Sequence, residues 1–555
     1  MTILKTVLLP LLALSSLNLS SGSVIPRWAA PVVSLPYATY QAYHNESSGL
    51  DVFLGVRYAA STEGQNRWRE AQPPPDETGM GVQNATVFPP QCPQATAGGI
   101  ISAAQYDPLQ SVDSEDCLFV NIYAPPNAED LPVLVWIHGG GWDHNSAREF
   151  DPTPSINYSN NSFIAVIIQY RLGAFGFLNS PLMASDNGLN AGISDAAASL
   201  RWVQKYINYF GGNKDQVTIW GQSSGGGTIL HLLSAQGEPE RQGEKLWSNV
   251  IMSSPYLTPM GACDSSYWQI QFDNFTASAN CSVDDTALDC LRNTSTDVLK
   301  TLSHQYDSVT QAGHPSAYEP CIEGPGGYLV SNTAERLKNG NIPYSYILAG
   351  SNYNDGFSMV STSLTPPSNF TNISAEADAR LAQLLVTDFP LTAGSDDVQR
   401  ALDLYPLSEF ADNHARGAEL YQDIIFACGV NWALDKTQNA WRYLYAVKDA
   451  IHARDNAYEF PYFYNTLSPY SPSLYGSYIG PIVSLITSNG PNNYPNLQPS
   501  NDPSWPVYSN VGEYKVLNVT ATTNVSDSYI AQNQQQIGTR ERCDFWAQVR
   551  IDNYW

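Results

Sequence analysis

Residues 217–225 read VTIWGQSSG, a short apolar run that leads directly into a Gly-x-Ser-x-Gly turn. The run predicts a strand over residues 217–220, and the apolar stretch at 228–233 predicts a buried helix after the turn. A serine between a strand and a helix lies on a sharp turn, and glycines two positions away on either side let the main chain pass close to it. A glycine-rich turn without further role is the alternative, but the setting predicts Ser223 as an exposed nucleophile.

A second glycine-rich loop lies about 80 residues before Ser223. Residues 131–137 predict another apolar strand, which ends in His138, Gly139, Gly140 and Gly141. Successive glycines can turn their N–H groups toward one point and hold an oxyanion without interference from side chains. We therefore predict Gly140, Gly141 and the N–H of Ser224 as oxyanion donors, against the alternative of a flexible loop after a core strand.

Two further motifs extend this pattern. Residues 115–125 read EDCLFVNIYAP and residues 170–178 read YRLGAFGFL. Together with the Gly-x-Ser-x-Gly turn around Ser223, which we call the elbow, these motifs resemble the type-B carboxylesterase/lipase group of α/β-hydrolases. This group includes cholinesterases and fungal lipases. The similarity extends from residues 55–59 to residues 543–546 and is thinner after about residue 260. It implies the α/β-hydrolase fold, a member of the α/β class. Apolar strands that alternate with helical stretches such as 190–209 independently favour a mixed, mostly parallel sheet with helices on both faces.

The general base must follow the nucleophile and the acid in the chain order of this fold. Of the eight histidines, only His414 and His452 lie late enough. His452 follows a predicted strand at 441–447, so it can lie on a loop at the carboxyl end of that strand. His414 belongs to a polar helical stretch that we expect at the surface. We therefore predict His452 as the base, with Ala453 where the family pattern carries glycine.

Asp355 is the predicted acid of a catalytic triad that also contains Ser223 and His452. It lies in the loop after a predicted strand at 345–350, where the resemblance implies an acidic residue, usually glutamate. An ionised carboxylate there would fix the imidazole tautomer and stabilise the imidazolium. Because aspartate is one methylene shorter than glutamate, the loop must approach His452 more closely. An ordinary Asp-Gly turn is the alternative for Asp355 and Gly356.

Residues 1–23 have the pattern of a cleaved signal peptide, with Lys5, an apolar stretch at 7–14 and small polar residues up to Ser23. We predict a secreted protein with one catalytic domain over residues 24–555. No later segment has the length of a membrane-spanning helix, and the C-terminus lacks the apolar tail of a lipid-anchor signal. N-glycans are expected on a secreted chain with eleven Asn-x-Ser/Thr sequons downstream of residue 23, at Asn45, Asn84, Asn157, Asn160, Asn274, Asn280, Asn293, Asn369, Asn372, Asn518 and Asn524.

The chain carries 52 acidic and 27 basic residues, a net charge of −25. This excess of negative charge argues against nucleic acid and anionic membranes as partners. No compact cluster of histidine, cysteine and aspartate has metal-ligand spacing, so the sequence predicts neither a metal nor a cofactor. The predicted partner is a small-molecule ester.

Eight cysteines in an exported chain predict disulfides rather than a metal site. Their spacing alone leaves the pairing open. The resemblance implies three bridges, Cys92–Cys117, Cys281–Cys290 and Cys428–Cys543. Cys263 and Cys321 remain, and they either pair or stay free.

The predicted function is hydrolysis of neutral esters through an acyl-enzyme. Relatives that hydrolyse choline esters hold the cation with a tryptophan in the first disulfide loop and an acidic residue before the serine. Here that loop contains Tyr106 but no tryptophan, and Gln222 precedes Ser223. Two sources of cation affinity are therefore missing. The alternatives are a recognition or adhesion protein on the same fold and a lipase for long-chain acylglycerols.

Overall fold

The structure, a computed structural model, describes residues 30–96, 112–236, 244–307, 317–339, 342, 345–367, 372–389, 391–447, 449–460, 472–493, 504–510, 513–522, 525–526, 529–532 and 538–552. The predicted signal peptide and Tyr106 lie outside these residues. The division into residues 1–23 and 24–555 therefore stays a prediction. None of the described helices combines the length and the hydrophobicity that a bilayer span requires.

The elements alternate along the chain between strands and helices. The described strands are β1 Val32–Ser34, β2 Thr39–Gln41, β3 Tyr43–Asn45, β4 Leu50–Arg57, β5 Val82–Asn84, β6 Phe119–Ala124, β7 Leu131–Ile137, β8 Ile164–Ile168, β9 Gly212–Gln222, β10 Asn249–Ser253, β11 Tyr346–Asn352, β12 Ala440–Tyr445, β13 Ser509–Asn510, β14 Glu513–Val519, β15 Ala521–Thr522, β16 Val525–Ser526 and β17 Tyr529–Gln532. The described α-helices are α1 Thr153–Tyr158, α2 Gly173–Phe177, α3 Pro181–Ser185, α4 Ala191–Tyr206, α5 Ser224–Gln236, α6 Ser266–Ser278, α7 Ala287–Asn293, α8 Thr296–Asp307, α9 Thr333–Asn339, α10 Ile373–Thr387, α11 Asp396–Leu404, α12 Asn413–Tyr421, α13 Cys428–Asp435, α14 Asn456–Glu459, α15 Pro472–Ser488 and α16 Arg540–Asp552.

A mixed sheet of twelve described strands forms the centre of the fold. Its order is β13-β14-β12-β11-β10-β9-β7-β8-β6-β4-β3, and β17 pairs with β14. The run from β14 to β8 is parallel throughout, whereas β6, β4 and β3 at one side and β13 and β17 at the other are antiparallel. This confirms the predicted fold class, with the parallel pairing confined to the middle of the sheet.

Alternate side chains of the central strands pack into two separate hydrophobic cores. On β7, Val133 and Val135 enter the first core, which also contains Leu200 of α4 and Leu230 of α5. Their neighbour Trp136 enters the second core together with helix α15. Because side chains alternate between the two faces of a strand, a sheet covered by helices on both faces buries both sets. The continuous apolar run of β7 is the sequence signal of this arrangement.

The predicted local elements around the elbow are present in the structure. The strand expected at 217–220 is the end of β9, and the buried helix expected at 228–233 lies within α5. The strands expected at 345–350 and 441–447 correspond to β11 and β12, each within two residues at either end. The helical stretch at 190–209 is α4 followed by a 3₁₀ turn.

All eight cysteines form disulfides: Cys92–Cys117, Cys263–Cys321, Cys281–Cys290 and Cys428–Cys543. Three of these are the pairs that the family resemblance implies. The fourth decides the alternative that the sequence left open, since Cys263 and Cys321 are brought together by an isolated parallel bridge between Ala262 and Ile322. The two cysteines are 58 residues apart, and only tertiary structure makes them neighbours.

Candidate active site

The loops that carry the predicted site residues all leave the same edge of the sheet. Strands β7, β9, β10, β11 and β12 are parallel neighbours, so their carboxyl ends lie side by side. The glycine loop follows β7, Ser223 follows β9, Asp355 follows β11 and His452 follows β12. Crevices at the carboxyl ends of parallel strands are the usual binding sites of open α/β sheets.

Ser223 lies on the sharp turn between β9 and α5, where the residue is only 8% exposed, so the expectation of an exposed nucleophile is wrong. Its backbone has φ +55°, a left-handed conformation that a residue other than glycine rarely adopts. The turn is held by a hydrogen bond from the Ser223 N–H to the carbonyl of Ser253 at 3.0 Å. A Cβ atom at Gly221 would overlap the backbone of Gly225, and one at Gly225 would overlap the carbonyl oxygen of Ile137. The two glycines of the motif are therefore required by close backbone packing.

Ser223, His452 and Asp355 form one continuous chain of hydrogen bonds. His452 Nε2 lies 2.9 Å from Ser223 Oγ, and His452 Nδ1 lies 2.8 Å from Asp355 Oδ1. A carboxylate can only accept, so Nδ1 carries the hydrogen and leaves Nε2 as acceptor for the serine hydroxyl. This is the tautomer that a general base at Nε2 requires.

The loops of the acid and the histidine are joined directly by backbone pairing. Asn354 and Ile451 form an isolated parallel bridge, and the Asn354 N–H donates to the carbonyl of Ala450 at 2.9 Å. Asp355 follows Asn354 and His452 follows Ile451 in these loops, so the bridge places the two side chains next to each other. This direct pairing brings the shorter aspartate within reach of the imidazole.

Ala453 has φ +63°, the left-handed conformation that glycine adopts most readily. The family pattern carries glycine at this position, and the structure gives the physical reason. Alanine retains the turn here at a cost of roughly 1 kcal/mol. The departure from the pattern therefore changes the energy of the turn and not its path.

Asp355 is completely buried and accepts hydrogen bonds on both oxygens. Oδ2 accepts hydrogen bonds from Ser254 Oγ and from the Asn352 N–H, each at 2.8 Å, and Oδ1 accepts one from His452 Nδ1. These hydrogen bonds offset the cost of burying a polar group. Ser254 was missed by the sequence reasoning, although its position just after the apolar strand β10 is a signal that could have located it.

A π-helical segment, Gln422–Ala427, packs against the acid and the base from the other side. Gln422 accepts from the Gly356 N–H at 3.2 Å and donates from Nε2 to the carbonyl of Asn352 at 2.7 Å. The ring of Phe426 lies 4.6 Å from the imidazole ring of His452. Both contacts restrict the triad, and single-turn π-helices are frequent at functional sites. No local sequence pattern indicates them.

The glycine loop packs directly on the nucleophile. A Cβ atom at Gly139 would lie 2.8 Å from Ser223 Cβ, and Gly140 and Gly141 have φ values of +114° and +63°. Ser224 opens α5, so its N–H belongs to the first turn, where N–H groups have no partner within the helix. The structure thus brings the predicted oxyanion donors Gly140, Gly141 and Ser224 to the same edge of the sheet as the Ser223 hydroxyl.

His138 anchors this loop as a neutral side chain. Its Nδ1 donates to the carbonyl of Gly139 at 2.9 Å, and Tyr170 OH donates to the carbonyl of His138 at 2.7 Å. Burial lowers the pKa of His138 to about 4, so the imidazole is uncharged at neutral pH. His138 therefore shapes the loop and supplies no positive charge to an oxyanion.

His414 is helical, as predicted, but the expectation that it lies at the surface is wrong. It is buried at the start of α12, where its Nε2 lies 3.0 Å from the carbonyl of Val360 and its ring packs on Phe357. The helix faces the loop that follows Asp355, and this packing buries a residue in an otherwise polar stretch. The structure pairs His452, and not His414, with Ser223.

Metal coordination has no counterpart in the described residues, which contain no group of three or more histidine, cysteine, aspartate or glutamate side chains arranged to hold an ion. The described carboxylates near the triad accept hydrogen bonds from serine, asparagine and tyrosine instead.

Comparison with known proteins agrees with this geometry. Lipase 5 from Diutina rugosa is 30% identical over 389 residues, which cover 66% of this chain and 69% of the relative. A secreted lipase from Arthroderma benhamiae is 27% identical over 88% of this chain and 92% of its own. The structure of Aspergillus niger EstA superposes with a TM-score of 0.77 over 94% of this chain and 99% of EstA; at 24% identity this likeness concerns the fold.

The model of the carboxylesterase family matches residues 32–546, which is nearly all of the described chain. The chain belongs to the carboxylesterase family and is a carboxylic ester hydrolase with the α/β-hydrolase fold.

Proposed function

We propose that this protein is a secreted serine esterase that hydrolyses neutral carboxylic esters through an acyl-enzyme on Ser223. The observation that carries the proposal is the continuous hydrogen-bonded chain from Ser223 Oγ through His452 to Asp355. Each member has the atom and the tautomer that its role requires. The elbow, the glycine loop and the buried carboxylate support the same assignment.

In acylation, Ser223 Oγ attacks the ester carbonyl carbon while His452 Nε2 takes the hydroxyl proton. The resulting oxyanion accepts hydrogen bonds from the N–H groups of Gly140, Gly141 and Ser224. Asp355 stabilises the imidazolium that forms, because it accepts the Nδ1 hydrogen. The imidazolium then gives its proton to the ester oxygen of the leaving group as the C–O bond breaks, the oxyanion re-forms the carbonyl, and the alcohol leaves.

In deacylation, a water molecule takes the place of the alcohol. His452 Nε2 accepts a proton from the water as it attacks the acyl carbon, and the same oxyanion donors stabilise the second tetrahedral intermediate. Return of the proton to Ser223 Oγ releases the carboxylic acid. His452 Nε2, which lies 2.9 Å from Ser223 Oγ, carries the proton in each of these steps.

A fluorophosphonate probe tests the proposal directly. We expect one equivalent of probe to attach to Ser223 in the folded protein, because His452 Nε2 lies 2.9 Å from its hydroxyl and activates it. Mass spectrometry of the labelled peptide is the measurement, and Ser224→Ala, which keeps the backbone N–H, is the matched control. If the folded protein stays unlabelled, the proposed serine mechanism is wrong, and a recognition or adhesion function remains as the alternative.

A preference for neutral esters over choline esters is the second prediction for this site. Gln222, next to the nucleophile, is uncharged; its Oε1 accepts from Asn456 at 3.4 Å, and its Nε2 lies 3.5 Å from His452 Nε2. An amide offers a trimethylammonium group no charge, so cation binding loses an electrostatic contribution. We expect a higher kcat/KM for p-nitrophenyl butyrate than for butyrylthiocholine. The reverse order would contradict the prediction, and Gln222→Glu should narrow the difference.

Two of the relatives are named lipases, which favours hydrolysis of long-chain acylglycerols as a second candidate. Exposed apolar side chains of Tyr353, Phe357 and Met359 lie in the sequence next to Asp355 and would suit a long acyl chain or its interface. Comparing rates on tributyrin and on triolein emulsions separates the two candidates, since only a lipase retains its activity on the insoluble substrate.

Secretion and N-glycosylation complete the proposal. Four disulfides suit an oxidising compartment, and one relative is named a secreted lipase. Among the sequon asparagines, seven are exposed, namely Asn84, Asn157, Asn160, Asn274, Asn280, Asn293 and Asn372. Asn45 is half-buried, while Asn369, Asn524 and the side chain of Asn518 lie outside the described part. Sequencing the N-terminus of protein recovered from the medium tests cleavage after residue 23.

A further inference from the structure

Two buried carboxyl groups lie behind the acid of the triad. Asp455 and Glu459 are both fully buried, one before and one at the end of the short helix α14. Asn352 bridges the first of them to the triad: its Nδ2 lies 3.0 Å from Asp455 Oδ1 and 3.3 Å from Asp355 Oδ1. Three carboxyl groups, Asp355, Asp455 and Glu459, therefore meet in one water-poor region next to His452.

The donors around this pair are fewer than two carboxylates need. Tyr478 OH lies 2.9 Å from Glu459 Oε1 and 3.3 Å from Asp455 Oδ2, but it has a single hydrogen to give. Tyr443 OH donates to Asp455 Oδ2 only at 3.5 Å. Ser253 Oγ contacts Glu459 Oε1 at 2.6 Å, and Glu459 Oε2 has no hydrogen-bond partner among the described residues. A buried carboxylate oxygen without a donor is costly, so these hydrogen bonds suit one ionised and one neutral carboxyl group.

Positive charge is also scarce around the pair. The titratable and polar groups around it are Asp355 and Asn352 after β11, Ser253 of β10, Tyr443 and Tyr445 of β12, Tyr478 of α15, His452, and the half-buried Arg454, which precedes Asp455 in the chain. Within the described ranges, no arginine or lysine forms an ion pair with either carboxyl group. By contrast, the half-buried Glu419 and the buried Asp423 both lie within 4 Å of Arg542, at 3.3 Å and 3.7 Å.

We propose that Asp455 and Glu459 share one proton and together keep a single negative charge behind Asp355, which favours the protonated form of His452 during catalysis. Both act as positioning residues, because they reach the imidazole only through Asn352 and Asp355. Burial and repulsion by Asp455 raise the pKa of Glu459. Burial and the charge of Asp355 raise the pKa of Asp455. The proposal rests on the proposed function only for its kinetic consequence.

The kinetic test uses Asp455→Asn, Glu459→Gln and the double variant. If the charge is shared, each single variant leaves one carboxylate in place, so the acid limb of the pH profile of kcat/KM stays within about 0.2 pH unit of wild type. The double variant removes the charge, and we expect its acid limb to shift to lower pH by roughly 0.5–1 pH unit. Glu419→Gln, which alters a half-buried acid that faces Arg542, is the control and should not move the limb. A single variant that shifts the limb as far as the double variant does would overturn the sharing.

A second test needs no enzymatic activity. The infrared spectrum of the wild-type protein at neutral pH should contain the C=O stretch of a buried carboxylic acid, and each single variant should lose it. Because the pair takes up a proton on folding above the ordinary pKa of glutamate, its contribution to the stability of the wild-type protein falls as pH rises. The melting temperature of Glu459→Gln relative to wild type should therefore increase from about pH 4.5 to pH 7. A flat difference together with no lost infrared band would overturn the proposal even if Ser223 labels normally, whereas an unlabelled Ser223 would overturn only the proposed function.

Discussion

Replacing His452 by alanine should lower the rate of acylation by roughly 10³-fold or more. The Ser223 hydroxyl then loses the acceptor that lies 2.9 Å away, and an unassisted hydroxyl is a poor nucleophile. The imidazole of His452 is mostly buried against Phe426, so some loss of stability is also expected, in contrast to an exposed loop residue. Single-turnover kinetics with an activated ester, together with thermal denaturation, separate the two effects.

His44 supplies a matched control for this substitution. Its Nδ1 also lies 2.8 Å from an aspartate oxygen, Oδ1 of Asp51, but the pair belongs to the β3–β4 hairpin at the opposite side of the sheet. His44→Ala should leave acylation near the wild-type rate. His414→Ala should cost stability, because it removes a buried ring, and should keep acylation within about tenfold of wild type.

The acid should act only through the imidazole that it orients. Adding Asp355→Asn to His452→Ala should therefore cost little further rate, although Asp355→Asn alone should be strongly impaired. The double-mutant cycle on the acylation rate is the measurement. Full additivity of the two substitutions in folded protein, or equal damage from His414→Ala and His452→Ala, would mean that the catalytic relay is assigned wrongly.

Gly225→Ala should destabilise the protein by more than about 3 kcal/mol or prevent its folding. The added methyl group would overlap the carbonyl oxygen of Ile137 at the end of β7, and it would lie close to the carbonyl of His138 as well. Both obstacles are backbone atoms that the sheet holds in place, so a side-chain rotation cannot relieve the clash. The start of α5 would have to move away from β7 and carry the elbow with it. Chemical denaturation of the purified variant measures the loss.

Gly79→Ala is the control for this substitution. Nothing lies within 4 Å of a Cβ at this position, which belongs to a short 3₁₀ turn at the surface. The expected change in the free energy of unfolding is within about 0.5 kcal/mol. If Gly225→Ala were as stable as Gly79→Ala, α5 would not pack on the end of β7 as closely as described.

The sequence predicted the parts of the site that depend on a short stretch of chain. The elbow around Ser223 is a local turn with its own glycine requirement, and the largely apolar stretches of β7, β11, β12 and the end of β9 follow from the burial of both faces of these strands. Parallel strands end at one edge, so chain order alone places the glycine loop, Asp355 and His452 together. The local patterns and the family resemblance were thus sufficient for the fold class and for the residues that meet at the serine.

Contacts between distant segments needed the tertiary structure. Phe426 and Gln422 reach the triad from a π-helix, Cys263 meets Cys321 across 58 residues, and His414 is buried although its neighbours in sequence are polar. Periodicity and spacing describe which side of an element faces the core, but they do not state which other element covers that side. The sequence by itself therefore determined the nucleophile, its elbow and the sheet that carries them. Only the tertiary structure decided what surrounds the acid and the base, because burial and hydrogen bonding there come from the packing of segments far apart in the chain.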